Sequence, residues 1–143
     1  MISEATLRGF GDTSYTIGTP AGESIGLRLG EPNAEADRLL TRLGARSLCC
    51  LNAWNPGSRP QPAARNMAFH QRLRRDLLRR GCRILPHLGV PDRPGWRSEP
   101  GFAILDLAKE KAVRLAEAYG QYGLVFYERG GTAELLLTRR ALR

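Results

Sequence analysis

The order of residues between Ser47 and His87 constrains this chain more than any bulk property. A short apolar run, Ser47–Ala53 (SLCCLNA), is followed by Asn55–Ala64 (NPGSRPQPAA), where three prolines and a glycine forbid a helix or strand interior. Next, Ala64–Arg80 places Phe69, Leu73 and Leu77 at four-residue intervals, the spacing of one helical face. Gly81 closes that helix, and Cys82–His87 (CRILPH) returns as a second strand. Strand, helix and strand in this order predict a right-handed βαβ unit that brings the two strands near each other.

The flanks extend the same alternation. Tyr15–Thr19 and Ser24–Leu29 read as strands around the Pro20-Ala-Gly22 turn, and Pro32–Leu43 as a helix stopped by Gly44. Pro86–Gly101, with four prolines and three glycines, reads as a long irregular loop of the kind that forms lids and binding loops. Phe102–Leu105 is a strand, and Asp106 is placed to cap a helix over Leu107–Tyr119 that ends at Gly120. Leu124–Glu128 and Ala133–Thr138 form a hairpin around Arg129-Gly130-Gly131. The expected architecture is α/β (α+β): a single-domain sandwich over residues 1–143, with a mixed β-sheet of about six to seven short strands and about three helices. The ends, about 1–12 and 139–143, are expected to be flexible.

Composition removes whole classes. With 42% hydrophobic and 25% charged residues, the chain of 143 residues is globular rather than disordered. No apolar stretch reaches the length of a membrane span, and the N-terminal residues lack the basic-then-apolar pattern of a secretory signal. Three cysteines, Cys49, Cys50 and Cys82, do not make an even disulfide framework, so a cytoplasmic protein is expected.

Charge is the strongest functional signal. The formal net charge is +8, and twenty of the twenty-two basic residues are arginines. Seven lie between Arg65 and Arg83 against one acid, Asp76; Arg72, Arg75 and Arg79 form a stripe on the predicted helix, and Arg139, Arg140 and Arg143 add a basic tail. Such a stripe suits anion binding, to nucleotide phosphates, RNA or an acidic protein; it also suits a plain solvated helix face.

Enzyme signatures are missing. Cys49, Cys50, Cys82 and His87 have metal-ligand chemistry, but adjacent strand residues point to opposite faces and no Cys-x-x-Cys spacing occurs. The thiols read as small buried hydrophobes, and neither a metal nor a cofactor is expected. A Cys82–His87 pair is disfavoured because positions five apart on a strand face opposite sides, and His70 reads as half-exposed packing. No Gly-x-Ser-x-Gly elbow, phosphate loop or dinucleotide fingerprint is present.

A ligand site is expected where the first strand of the unit ends, in Asn52-Ala-Trp54-Asn55-Pro56-Gly-Ser58. Trp54 offers a stacking surface, Asn55 and Asn66 carry both donors and acceptors, and Ser58 adds a hydroxyl. From the long loop and the last helix end, Trp96, Glu99 and Gln121 are expected to join them at one edge of the sheet. The competing reading makes Asn55-Pro56 a turn, Trp54 core and Asn66 a helix cap.

Ala53-Trp54-Asn55-Pro56-x-Ser58, then Asn66, Leu73 and Leu77, then Trp96-x-x-Glu99-x-x-Phe102 and Ala112…Leu115-Ala116…Tyr119-Gly120-Gln121, resemble the small bacterial family catalogued as domain of unknown function 3293. The resemblance covers about residues 45–137. Two positions depart from the pattern: Asn52 stands where a Thr is expected, and Gly101 where a Ser is expected. The family carries no established activity, so no residue role comes with it. Function therefore rests on three readings: recognition of a polar or anionic small ligand, such as a nucleotide, near Trp54–Ser58; association with RNA or ribosomes through the arginine-rich helix; or regulation by binding an acidic partner.

Overall fold

A computed structural model describes residues 1–143. Its elements, in order, are α1 (Glu4–Gly11), β1 (Thr13–Gly18), β2 (Ser24–Leu27), α2 (Ala34–Arg42), β3 (Ser47–Leu51), α3 (Ala63–Arg79), β4 (Ile84–Pro91), β5 (Glu99–Leu105), α4 (Lys109–Ala118), β6 (Gly123–Glu128), β7 (Glu134–Leu137) and α5 (Arg139–Leu142). The fold is α+β, with all seven strands in one sheet of order β2-β1-β4-β5-β3-β6-β7. No helix is long and apolar enough to cross a membrane.

Every strand ladder is antiparallel, where a mixed sheet was expected. The expected βαβ unit is split: β5 sits between β3 and β4 and pairs antiparallel with both, so β3 and β4 run parallel without touching. The cause lies in Pro86–Gly101, which is mostly a hairpin rather than an irregular loop; only Asp92–Ser98 lies outside β4 and β5. Its prolines are tolerated because each sits where one flanking ladder is absent. The β1–β4 ladder stops at His87, next to Pro86; the β4–β5 ladder stops at Gly89, before Pro91; the β3–β5 ladder starts at Phe102, after Pro100.

Strand alternation sorts the apolar residues onto two faces. Leu48, Cys50, Ala103, Leu105, Val125 and Tyr127 join Tyr15, Ile17 and Leu27 in a core sealed by Ala36, Leu39 and Leu40 of α2. Cys49, Leu51, Phe102, Ile104, Leu124 and Phe126 face the other way, under Leu73 and Leu77 of α3 and Ala112, Leu115 and Ala116 of α4. The sheet curls around α2 until its two edges meet, with Leu29 beyond β2 bridging Ala133 before β7. Gly44, Gly81 and Gly120 each take a positive φ just past a helix end, where any other residue would be strained.

One local expectation is corrected. Asp106 does not cap α4; it takes a left-handed φ of 57° and accepts hydrogen bonds from the Arg46 and Ser47 N–H groups at 2.8 and 3.2 Å. Both ends carry short helices: α1 is capped by Ser3, and α5 buries Ala141.

Candidate functional site

The segment after β3 is built around one asparagine. Asn55 adopts a left-handed φ of 45°, a conformation that asparagine tolerates better than most residues, and Ser58 follows at 58°. A single 3-10 turn over Pro56–Ser58 lies between them. Asn66, only 2% exposed in the first turns of α3, reaches back rather than capping its own helix. Its Oδ1 accepts the Asn55 N–H at 2.8 Å, and its Nδ2 donates to Asn55 Oδ1 at 2.7 Å. That same Oδ1 also accepts the Gln61 N–H at 3.1 Å. Asn55 Nδ2 donates to Glu99 Oε2 at 3.2 Å, and Asn52 Oδ1 accepts the Trp54 N–H at 3.0 Å.

Glu99, the first residue of β5, therefore does meet the loop that leaves the end of β3, in the middle of the sheet rather than at its edge. Burial raises its carboxyl above the ordinary range, and hydrogen bonding from Asn55 and Asn52 opposes the rise. Gln121 joins as well, its Nε2 donating to the Trp54 and Tyr119 carbonyls at 3.2 Å each. The Gly57 N–H donates to the Gly120 carbonyl at 2.8 Å. Overhead lies the Arg140 guanidinium, where a Cβ on Gly57 would stand 2.6 Å from Nη2. No sequence signal marks Arg140 as part of this junction.

Trp96 takes a different place. It is 64% exposed at the tip of the β4–β5 hairpin and lies beneath Arg93, 5.6 Å from guanidinium carbon to ring centroid. Trp54 instead meets His70 edge-on at 6.3 Å, and His70 stacks on Phe102 at 4.5 Å. Burial holds the His70 imidazole below its usual pKa, and its buried Nδ1 has no partner in the protein. The half-exposed packing role expected of His70 is what the structure has.

These side chains mostly satisfy one another. Asn55 and Asn66 spend their carboxamides on each other, on Gln61 and on Glu99, so the motif works as a staple joining β3, α3, β5 and the end of α4. Asn66→Ala would leave the Asn55 N–H without its acceptor, and a loss of about 2 kcal/mol is expected in urea unfolding. An unchanged midpoint would remove the staple from the account.

Two open depressions of about 400 and 390 Å³ lie elsewhere, one beside α2 around Asp37, Arg38 and Arg42, the other between α4 and α5 around Arg114, Glu117 and Leu142. The cysteines are free; Cys49 and Cys50 are buried on opposite faces, and burial pushes both thiols upward, Cys49 to about 12. No group of three or more potential metal ligands is present.

The arginine stripe is exposed as expected. At about 100° per residue, Arg65, Arg72, Arg75 and Arg79 fall within about 80° of arc, away from buried Leu73 and Leu77. The one acid of the segment, Asp76, turns toward α4, where it accepts the Tyr119 hydroxyl, and lies 3.9 Å from Arg79. Arg83 reaches Asp106 at 3.4 Å. Arg65, Arg72, Arg74, Arg75 and Arg80 have no carboxylate within 4 Å.

Fold and site together define an α+β protein with an asparagine-stapled loop beneath a basic helix. Residues 51–124 match the family described as Protein of unknown function (DUF3293), and the chain belongs to that family. The matched stretch runs from the last residue of β3 into β6, shorter at both ends than the resemblance suggested, and it contains every member of the staple except Arg140. Asn52 and Gly101, the two positions expected to differ from the pattern, lie against each other: a Cβ on Gly101 would stand 2.8 Å from Asn52 Cβ. No curated protein and no solved structure matches the chain significantly.

Proposed function

We propose that this protein associates with nucleic acid through the outer face of α3, RNA being the cytoplasmic polyanion it would meet. The observation that carries this is the charge of that face: of its four exposed arginines, Arg65, Arg72 and Arg75 have no carboxylate within 4 Å, while Asp76, the only carboxylate of the segment, accepts the Tyr119 hydroxyl and lies 3.9 Å from Arg79 alone. Guanidinium groups free of internal partners gain most from phosphate, because each contact releases a condensed counterion. The small-ligand reading has less to offer here, since the carboxamides it needs are already spent on each other. The same reading assigns the protein to the cytoplasm, where free thiols persist.

The test is a binding titration against mixed RNA and DNA at two salt concentrations. Arg72, Arg75 and Arg79 changed together to Ala should flatten the log–log salt slope by about two to three. An unchanged slope in the triple variant, or no binding at low salt, overturns the proposal. Capture of an acidic peptide in place of RNA would move the face to the regulatory reading.

A further inference from the structure

The tip of the β4–β5 hairpin is built more firmly than its sequence suggests. Arg93-Pro94-Gly95-Trp96 has Pro at the second position, Gly95 at a φ of 84° at the third, and a hydrogen bond from the Trp96 N–H to the Arg93 carbonyl at 3.3 Å. These are the marks of a type II turn. Such a turn sets its first and fourth residues side by side, which is why Arg93 lies over the Trp96 ring. Below the turn, Asp92 receives two hydrogen bonds from the Arg28 guanidinium, at 2.7 and 2.6 Å, and its N–H donates to the Asp12 carbonyl at 2.9 Å. The tip is thus clamped to the end of β2 and to the start of β1.

The indole is 64% exposed with the Arg93 guanidinium over its ring, so aromatic surface is presented to solvent on a braced turn. Arg93 also lies 3.8 Å from Asp12, and Asp92 is matched by Arg28, so the charges at the base of the tip balance. Arg97, next to Trp96, is exposed and has no carboxylate within 4 Å. A flat π surface beside an unmatched cation, on a protein of net charge +8, fits an unpaired base with its phosphate. Duplex offers no such base, because its faces are stacked inside.

We infer that Trp96, flanked by Arg93 and Arg97, is a stacking platform for an unpaired nucleobase of single-stranded nucleic acid. This rests on the nucleic-acid reading of α3 and makes it specific: α3 supplies charge attraction common to all strands, and the hairpin tip selects single strands. Rigidity is part of the assignment, since a base stacking on a preformed surface loses less entropy in ordering the protein.

The experiment measures binding of an unstructured oligonucleotide and of a hairpin duplex of equal length at low salt, by anisotropy. Trp96→Ala should weaken single-strand binding about tenfold and leave duplex binding unchanged, the loss being that of one stacked base. The Arg72/Arg75/Arg79 triple Ala variant should weaken both. In a Trp54→Phe protein, where Trp96 is the only indole left, single strands should quench its emission and duplex should not. If Trp96→Ala changes neither affinity while the arginine variant lowers both, the platform is wrong and the α3 reading stands. If no oligonucleotide binds at all, both fall. A Trp96 response to anionic vesicles, with none to oligonucleotides, would overturn the inference in favour of a lipid surface.

Discussion

Gly101→Ala is expected to cost about 3 kcal/mol of folding stability, with much of the protein recovered unfolded or insoluble. Gly101 sits where β5 draws against the last residue of β3. An added Cβ would stand 2.8 Å from Asn52 Cβ and closer still to the Leu51 carbonyl oxygen. A backbone oxygen in a central strand cannot swing aside as a side-chain tip can. The strands would have to part at the point where Asn52, Asn55 and Glu99 come together, so staple and sheet fail as one. Gly9→Ala in α1 is the control: nothing lies within 4 Å of its Cβ, and a small gain is expected there. Equal unfolding midpoints for the two variants would refute the close-approach argument.

His87 should give the protein a marked acid sensitivity. Its ring is buried, stacked on Tyr15 at 5.9 Å, and within 3.0 Å of the Thr16 carbonyl through Nδ1. The carbonyl can only accept, so Nδ1 carries the proton and the neutral ring is the form that fits. Burial lowers its pKa from 6.5 to about 4, against the pull of that hydrogen bond. In the unfolded chain the imidazole takes a proton below pH 6.5, while the folded protein refuses it until about pH 4. Stability is therefore full above pH 6.5 and falls by about 3 kcal/mol as the pH drops to 4. His70, lowered in the same sense, adds to the fall; Glu99, raised, opposes it by favouring the folded state at low pH. Urea unfolding of His87→Gln across pH 4–7 isolates the contribution: its profile should lose most of the slope. A slope equal to that of the parent would show that His87 is not what acid attacks.

The legible parts of this molecule were those in which one residue type leaves one choice. Gly44, Gly81 and Gly120 end three helices because each takes a backbone angle other residues avoid. Leu73 and Leu77 reach the core because their spacing allows only one face. Partner choice was not legible. Prolines 86, 91 and 100 signal a loop, yet each occupies a place where one ladder has ended, and that depends on where the neighbouring strands β1, β5 and β3 stop rather than on local sequence. With β5 misread as starting at Phe102, its insertion between β3 and β4 could not be seen. The site divided along the same line. Asn55, Asn66, Glu99 and Gln121 stood out as polar residues at element ends and do converge, but the sequence could not say that they satisfy each other. Trp96 stood out for its ring and was assigned to the same cluster; the type II turn sends it elsewhere.

The meeting of Leu29 with Ala133 dictates an order of events during synthesis. Residues more than a hundred positions apart must come together before the curl around α2 is complete. The apolar side of α2 packs into a core shared with Val125, Tyr127 and Ala133, all made long after it. A ribosome that has delivered α2, α3 and even β5 has exported a chain whose inner face is still open to water, and contacts so distant in sequence form slowly. Until β6 and β7 emerge, that greasy hollow is a docking place for chaperones and a hazard among neighbouring nascent chains.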